Sequence, residues 1–106
     1  MNKFMRLIVF FDLPVTTASQ RKAATKFRNF LLNDGYHMIQ FSIYARVCNG
    51  TDAVAKHRKR LYSSIPNNGS IRLLVITEKQ YQGIEILVGK LKSEEKTFET
   101  EQLTLY

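Results

Sequence analysis

The chain has 106 residues, a net charge of +7, 44% hydrophobic residues and a single cysteine. That length predicts one domain, burying roughly two-thirds of its unfolded surface, and the apolar and aromatic content is too high for a disordered chain. One cysteine excludes an internal disulfide and a cysteine-based zinc site, a pattern that fits a reducing cytoplasm.

The charge is unevenly spread. Residues 1–72 hold twelve Lys and Arg against three Asp and Glu, a balance of +9, while residues 73–106 hold four against six, a balance of −2. A basic excess in one part of a chain points to a polyanionic partner, with a merely solvated surface as the alternative. The N-terminal MNKFMR before LIVFF imitates a secretion signal, but its apolar run is too short and no small-residue cleavage site follows. No stretch is long enough to cross a membrane.

In chain order, Met5–Asp12 reads as a buried strand, an unbroken apolar run rich in Ile, Val and Phe. Pro14, which lacks an amide donor, ends it. Thr17-Ala18-Ser19-Gln20 matches a capping box and opens a helix over about 18–33, with Ala23, Ala24, Phe27, Phe30 and Leu31 on one face and Gly35 as terminator. Residues 36–47 alternate like a strand, but twelve residues is long, so a bend or bulge is expected near Gln40–Ser42. Asn49-Gly50 is a turn, and Thr51 is the expected cap of a second helix over about 52–64, whose stripe is Val54, Leu61 and Ile65. A loop at 66–69 leads to a buried strand over 71–77, then a short turn or single helical turn over 78–83, a short strand over 84–88, a charged loop over 89–96 and a terminal strand near 102–106. Splitting the middle strand gives βαββαβ, an α+β ferredoxin-like arrangement: an antiparallel sheet with two helices on one face and the other face bare. That bare face is a reason to expect a second copy.

Asp12 stands out because a carboxylate at the mouth of an apolar strip is costly unless something pairs with it. It either closes an Asx-type turn or holds a cation, and two copies related by a twofold axis make a better magnesium site than one. On the first helix Arg21 and Arg28 flank the apolar face on one side, and Lys22 and Lys26 on the other. The second helix carries Lys56-His57-Arg58-Lys59-Arg60, with Lys56, Lys59 and Arg60 turned outward. Such cations neutralise phosphates without reading sequence. His57 falls at the edge of the apolar stripe and reads as a core-edge histidine; neither it nor His37 has a metal-ligand partner at helical spacing. Ser42 and Cys48 have no activating neighbour in sequence. Phe10, Phe11, Phe41 and Tyr44 are candidates to stack on bases; core packing is expected of most, with Tyr44 the best exposed candidate.

These features together resemble the CRISPR-associated protein two family, the small subunit of the spacer-acquisition machinery. Four stretches carry the likeness: LIVFFDLP, QRKAATKFRNFLLNDGY, MIQFSIYARV, and IRLLVITEKQY followed by a short strand and a C-terminal strand. The Asp-Leu-Pro and Thr-Glu-Lys-Gln-Tyr strings are similar to the type II branch. The resemblance implies a ferredoxin-like domain over 1–106 that dimerises through its sheets, with a C-terminal strand within about 97–106 joining the partner's sheet. It implies magnesium, or manganese, at Asp12 near the dimer axis. It also implies cytoplasmic work as a bridge between two dimers of the CRISPR integrase, holding the DNA duplex to be inserted, or else metal-dependent cleavage of single-stranded RNA or double-stranded DNA. In the first role Arg21, Lys22, Lys26, Arg28, Lys56, Arg58, Lys59 and Arg60 hold phosphates; in the second Asp12 carries the metal. Phe11 stands where many members have Tyr, and so lacks a hydroxyl that would order a metal-bound water. The scarcity of acids in the first 72 residues favours the binding role over the hydrolase.

Overall fold

The computed structural model describes residues 3–90 and 95, and the elements run β1 (Phe4–Asp12), α1 (Ala18–Asn33), β2 (His37–Gln40), β3 (Ile43–Asn49), α2 (Thr51–Tyr62), β4 (Ser70–Thr77) and α3 (Glu78–Gln82). The sheet order is β2-β3-β1-β4 with every pair antiparallel, the ferredoxin-like βαββαβ order expected from the sequence. β1 is central because its apolar residues alternate between two covered faces. Leu7 and Val9 point with Phe27, Leu31, Val54 and Leu61 into the core beneath α1 and α2, whereas Ile8 points the other way, with Ala45 and Tyr81.

The long middle segment breaks where a bend or bulge was expected. β2 and β3 form a hairpin turning through Phe41 and Ser42, with a register shift between Met38 and Gln40. Ser42 has φ 63°, the left-handed region, and its carbonyl accepts from Phe11 N at 3.0 Å, tying the turn to the end of β1.

α1 begins as the capping box predicts: Gln20 N donates to Thr17 Oγ1 at 3.1 Å, and Thr17 N donates to Gln20 Oε1 at 3.0 Å. It ends at Asp34, and Gly35, with φ 94°, turns the chain into β2. α2 departs from expectation at its start: its N-cap is Gly50 and no side chain caps it, so Thr51 is the first helical residue. Its apolar stripe also differs at one end. Val54, His57 and Leu61 are buried at i, i+3 and i+7, while Ile65 lies past the end of the helix and is exposed.

The second sheet face is not wholly bare. α3 sits on it, and Tyr81 is buried against Ile8 and Ala45. Beneath it Arg6 is only 1% exposed: its guanidinium donates to both carboxylate oxygens of Glu78, at 2.6 and 3.1 Å, and stacks 4.4 Å from the Tyr81 ring centroid. Tyr81 Oη donates to Glu95 Oε2 at 2.7 Å. Residues 84–88, expected as a strand, are irregular, with Leu87 and Val88 87% and 96% exposed. The rest of this face presents Phe10, Ile39, Ile43 and Ile76, half-buried, and Leu74, exposed. The expected strand at 102–106 lies outside the described residues.

Candidate nucleic-acid interface

Two helices on one face carry the cations. Arg21, Lys22, Lys26 and Arg28 on α1 and Lys56, Arg58, Lys59 and Arg60 on α2 are all exposed. On α1, a shallow groove runs past Arg21, Lys22, Thr25, Lys26, Asn29, Phe30 and Asn33, with the three cations toward the start of the helix and the two amides toward its end. Arg21 donates to the carbonyls of Val15 and Thr16 at 3.1 and 3.0 Å, which folds its side chain back over the entry to the helix. On α2 the cations divide. Lys56, Lys59 and Arg60 turn outward, but Arg58 borders a separate groove with Tyr62, Ile65 and Leu73 toward β4. Among the described residues Lys22, Lys26, Arg28, Lys56, Arg58 and Lys59 form no ion pair, so their charge is not spent on a neighbouring carboxylate.

Arg60 is different. Its Nη1 donates to Asp34 Oδ1 at 2.9 Å, and Asp34 Oδ2 lies 2.9 Å from His57 Nδ1. Burial opposes ionisation of Asp34, but the hydrogen bonds from His57 and Arg60 outweigh it and hold its carboxyl below the ordinary aspartate value. Arg46 completes the cluster: Nη1 donates to the Asp34 carbonyl and lies 3.2 Å from His57 Nδ1, and Nε donates to the Val47 carbonyl at 3.1 Å. With its proton on Nδ1 the imidazole donates to Asp34; with it on Nε2 it accepts from Arg46. His57 is therefore the core-edge histidine that the stripe implies, pinning the end of α1 to α2 and β3. Gly35 permits this approach, since a Cβ there would stand 2.7 Å from Arg46 Nη1. Nearby, burial pushes the Cys48 thiol and the Tyr36 phenol above their ordinary values, so neither ionises readily.

Asp12 ends β1 at the opposite edge of the molecule's chemistry. Its carboxylate is exposed and accepts no hydrogen bond among the described residues, so the Asx-type turn is not formed. Alternation puts it on the face of Ile8 and Phe10, opposite Ser70 of β4, with Arg72 opposite Phe10 on the same face and exposed. Gly69, at φ 102°, lets the loop before β4 press on this corner, where a Cβ would meet the Asp12 carbonyl at 2.8 Å. Among the described residues no three His, Cys, Asp or Glu side chains gather to hold a metal. Asp12 fits as one of the one or two carboxylates that magnesium takes, and a single chain supplies only that one.

Of the aromatic candidates, Tyr44 is corrected. It is 3% exposed, its ring 5.5 Å from Phe11 in the core beneath the helices, and a buried ring cannot stack on a base. Phe11 also packs edge-on against Phe27 at 5.3 Å. The exposed aromatic is Phe41, 88% open at the hairpin tip. Arg72 went unnoticed in the sequence, although an arginine between the inward Ile71 and Leu73 already marks the outward parity.

An antiparallel ferredoxin-like sheet with a cationic helix layer and a strand-end carboxylate defines a small α+β protein of ferredoxin-like fold. The chain belongs to the CRISPR-associated protein Cas2 family, whose model matches residues 5–84. Its relatives include a protein of Acidovorax ebreus strain TPSY, 52% identical over 102 residues, covering 96% of this chain and all of that one. A relative in Campylobacter jejuni is 39% identical over 99% of this chain and 73% of its own length, and one in Ligilactobacillus salivarius 45% identical over 81% and 85%. All three carry the name CRISPR-associated endoribonuclease Cas2. No helix among the described residues is long and apolar enough to cross a membrane.

Proposed function

We propose that the chain acts in CRISPR spacer acquisition as a paired adaptor, bridging dimers of the integrase while its helix layer grips the backbone of the DNA duplex to be inserted. The observation that carries this is the set of exposed cations on α1 and α2 that form no ion pair among the described residues, on the face opposite the apolar one. Cations so placed bind phosphate by charge and shape, with no base contact needed. Ile39, Ile43, Ile76 and Leu74 on the opposite face give a second copy something to cover. Arg60 contributes less than its neighbours, because its charge is shared with Asp34.

The test is a salt titration of duplex binding. Replacing Lys56 and Lys59 by Glu removes two phosphate contacts per chain and should lower the slope of log K against log salt by about 2 per chain. An unchanged slope refutes the helix layer as the binding face.

The bare Asp12 carboxylate and the name shared by the relatives support a second reading, metal-dependent cleavage of single-stranded RNA or double-stranded DNA. Two Asp12 side chains from paired copies would hold magnesium or manganese, which when bound activates water and steadies the leaving oxygen. In that reading Asp12 binds the ion, and Arg72 on the same face holds the substrate phosphate. Asp12→Asn separates the two readings: loss of cleavage with spacer acquisition intact leaves the adaptor role standing, and loss of both places the chemistry within acquisition.

A further inference from the structure

We propose that Phe41 is a stacking platform for an unpaired nucleobase, laying a single-stranded segment across the end of the sheet that carries Asp12 and Arg72. This goes beyond the duplex grip of the helix layer and uses a different part of the surface.

A phenyl ring left 88% in water forgoes the burial free energy that usually keeps Phe inside. The ring is also not on a frayed loop. Ser42, next to it, is held at φ 63° and bonded through its carbonyl to Phe11 N, one residue before Asp12. The tip is thus stapled to the strand that presents the carboxylate. Its flanking residues Gln40 and Ser42 are polar and exposed, as are Asp12 and Ser70 at the same end of β1 and β4, while the nearby Ile39, Ile43 and Phe10 are half-buried in the sheet face. That setting lacks the close-packed ring of water-excluding contacts that surrounds a protein-binding hot spot.

Across β1, Arg72 stands in register with Phe10, which pairs on its other side with Ile43 beside the tip. From the tip strand to Arg72 is two strand spacings, about 10 Å. Phe41, two residues before Ile43, therefore lies at the same end of the sheet as Arg72, and an aromatic face and a guanidinium placed there suit a base and a backbone phosphate of one strand. A duplex hides the faces of its bases within the stack, so the ring selects for unpaired nucleotides.

The chain has no tryptophan, so Phe41→Trp places a single reporter at the site. The full-length variant is titrated, with chelator present, against a ten-nucleotide oligouridylate and against a duplex DNA of equal charge. Stacking predicts quenched emission with the single strand and not with the duplex. Phe41→Ala should bind the single strand about tenfold more weakly, the loss expected when one stacked base is removed. Its duplex affinity should match the parent protein's. Equal single-strand affinity for Phe41→Ala overturns the proposal. So does tryptophan emission that shifts with protein concentration alone, which assigns the ring to contact between copies. Failure of all variants to bind duplex bears on the helix layer and leaves this result readable by itself.

Discussion

Glu78→Gln tests whether the buried ion pair holds α3 in place. Arg6 is almost sealed from solvent, and both Glu78 carboxylate oxygens receive its N–H groups. The substitution keeps the shape of the side chain but leaves a buried guanidinium facing a neutral amide. Breaking such a pair from one side costs about 3–5 kcal/mol. Glu78 retains a little solvent contact, its side chain 15% exposed, and Arg6 keeps the Tyr81 ring, so the lower end, about 3 kcal/mol, is expected. For a chain of this size that loss lowers Tm by roughly 12–24 °C. Removing the charge from both sides, in Arg6→Met with Glu78→Gln, should recover part of the loss, because the buried guanidinium is removed together with the carboxylate that receives its N–H groups. Urea denaturation of the parent, the single variant and the double variant reads all three values. A loss under about 1 kcal/mol for Glu78→Gln, or a double variant less stable than the single, refutes the argument that the Glu78 charge beside the buried Arg6 guanidinium sets the cost.

Asp34 makes a pH prediction. Its carboxyl is held below the ordinary aspartate value of 3.8, so ionised Asp34 stabilises the fold above that value and the contribution is lost as pH falls through the depressed folded-state value. Stability measured from pH 5 downward should therefore fall, and fall less steeply in Asp34→Asn. Gly35→Ala forces a side chain into φ 94° and against Arg46, and should cost at least about 1–2 kcal/mol by denaturant midpoint. Asp12→Asn touches an exposed carboxylate with no hydrogen-bond or ion-pair partner among the described residues, so stability should stay within about 0.5 kcal/mol of the parent, and any lost cleavage reports chemistry and not folding.

The elements most legible in the sequence were those whose local chemistry and tertiary setting agree. Thr17 and Gln20 cap α1 because the box is self-contained, needing nothing from the rest of the chain. The break at Gln40–Ser42 was visible because twelve alternating residues exceed a usual strand. Residues 84–88 show the reverse. Ile84, Ile86, Leu87 and Val88 have strand-forming side chains, but a strand needs a neighbour to bond with, and propensity cannot supply one. Tyr44 and Phe41 exchanged roles for a related reason. Parity identifies which residues share a face, but not which face the helices cover, nor that a turn lifts Phe41 off the sheet altogether. Arg6 was the deepest surprise. It counts toward the basic excess of residues 1–72, yet its partner Glu78 lies 72 residues away and no local pattern links them. Asp12 was legible as a bare strand-end carboxylate, and most of the cationic positions as helix surface. The diversion of Arg60 to Asp34 depends on how α1 and α2 meet.

Thr77 is both the last residue of β4 and the N-cap of α3, its hydroxyl accepting from Gln80 N at 3.0 Å. The chain turns this corner with no spacer. Lengthening the sequence there by one residue would rotate everything downstream by a helical step and carry Tyr81 off its seat. The 63–69 connection, exposed along most of its course, has slack to absorb the same insertion. Tolerance to added length should therefore differ sharply between the two ends of a single strand.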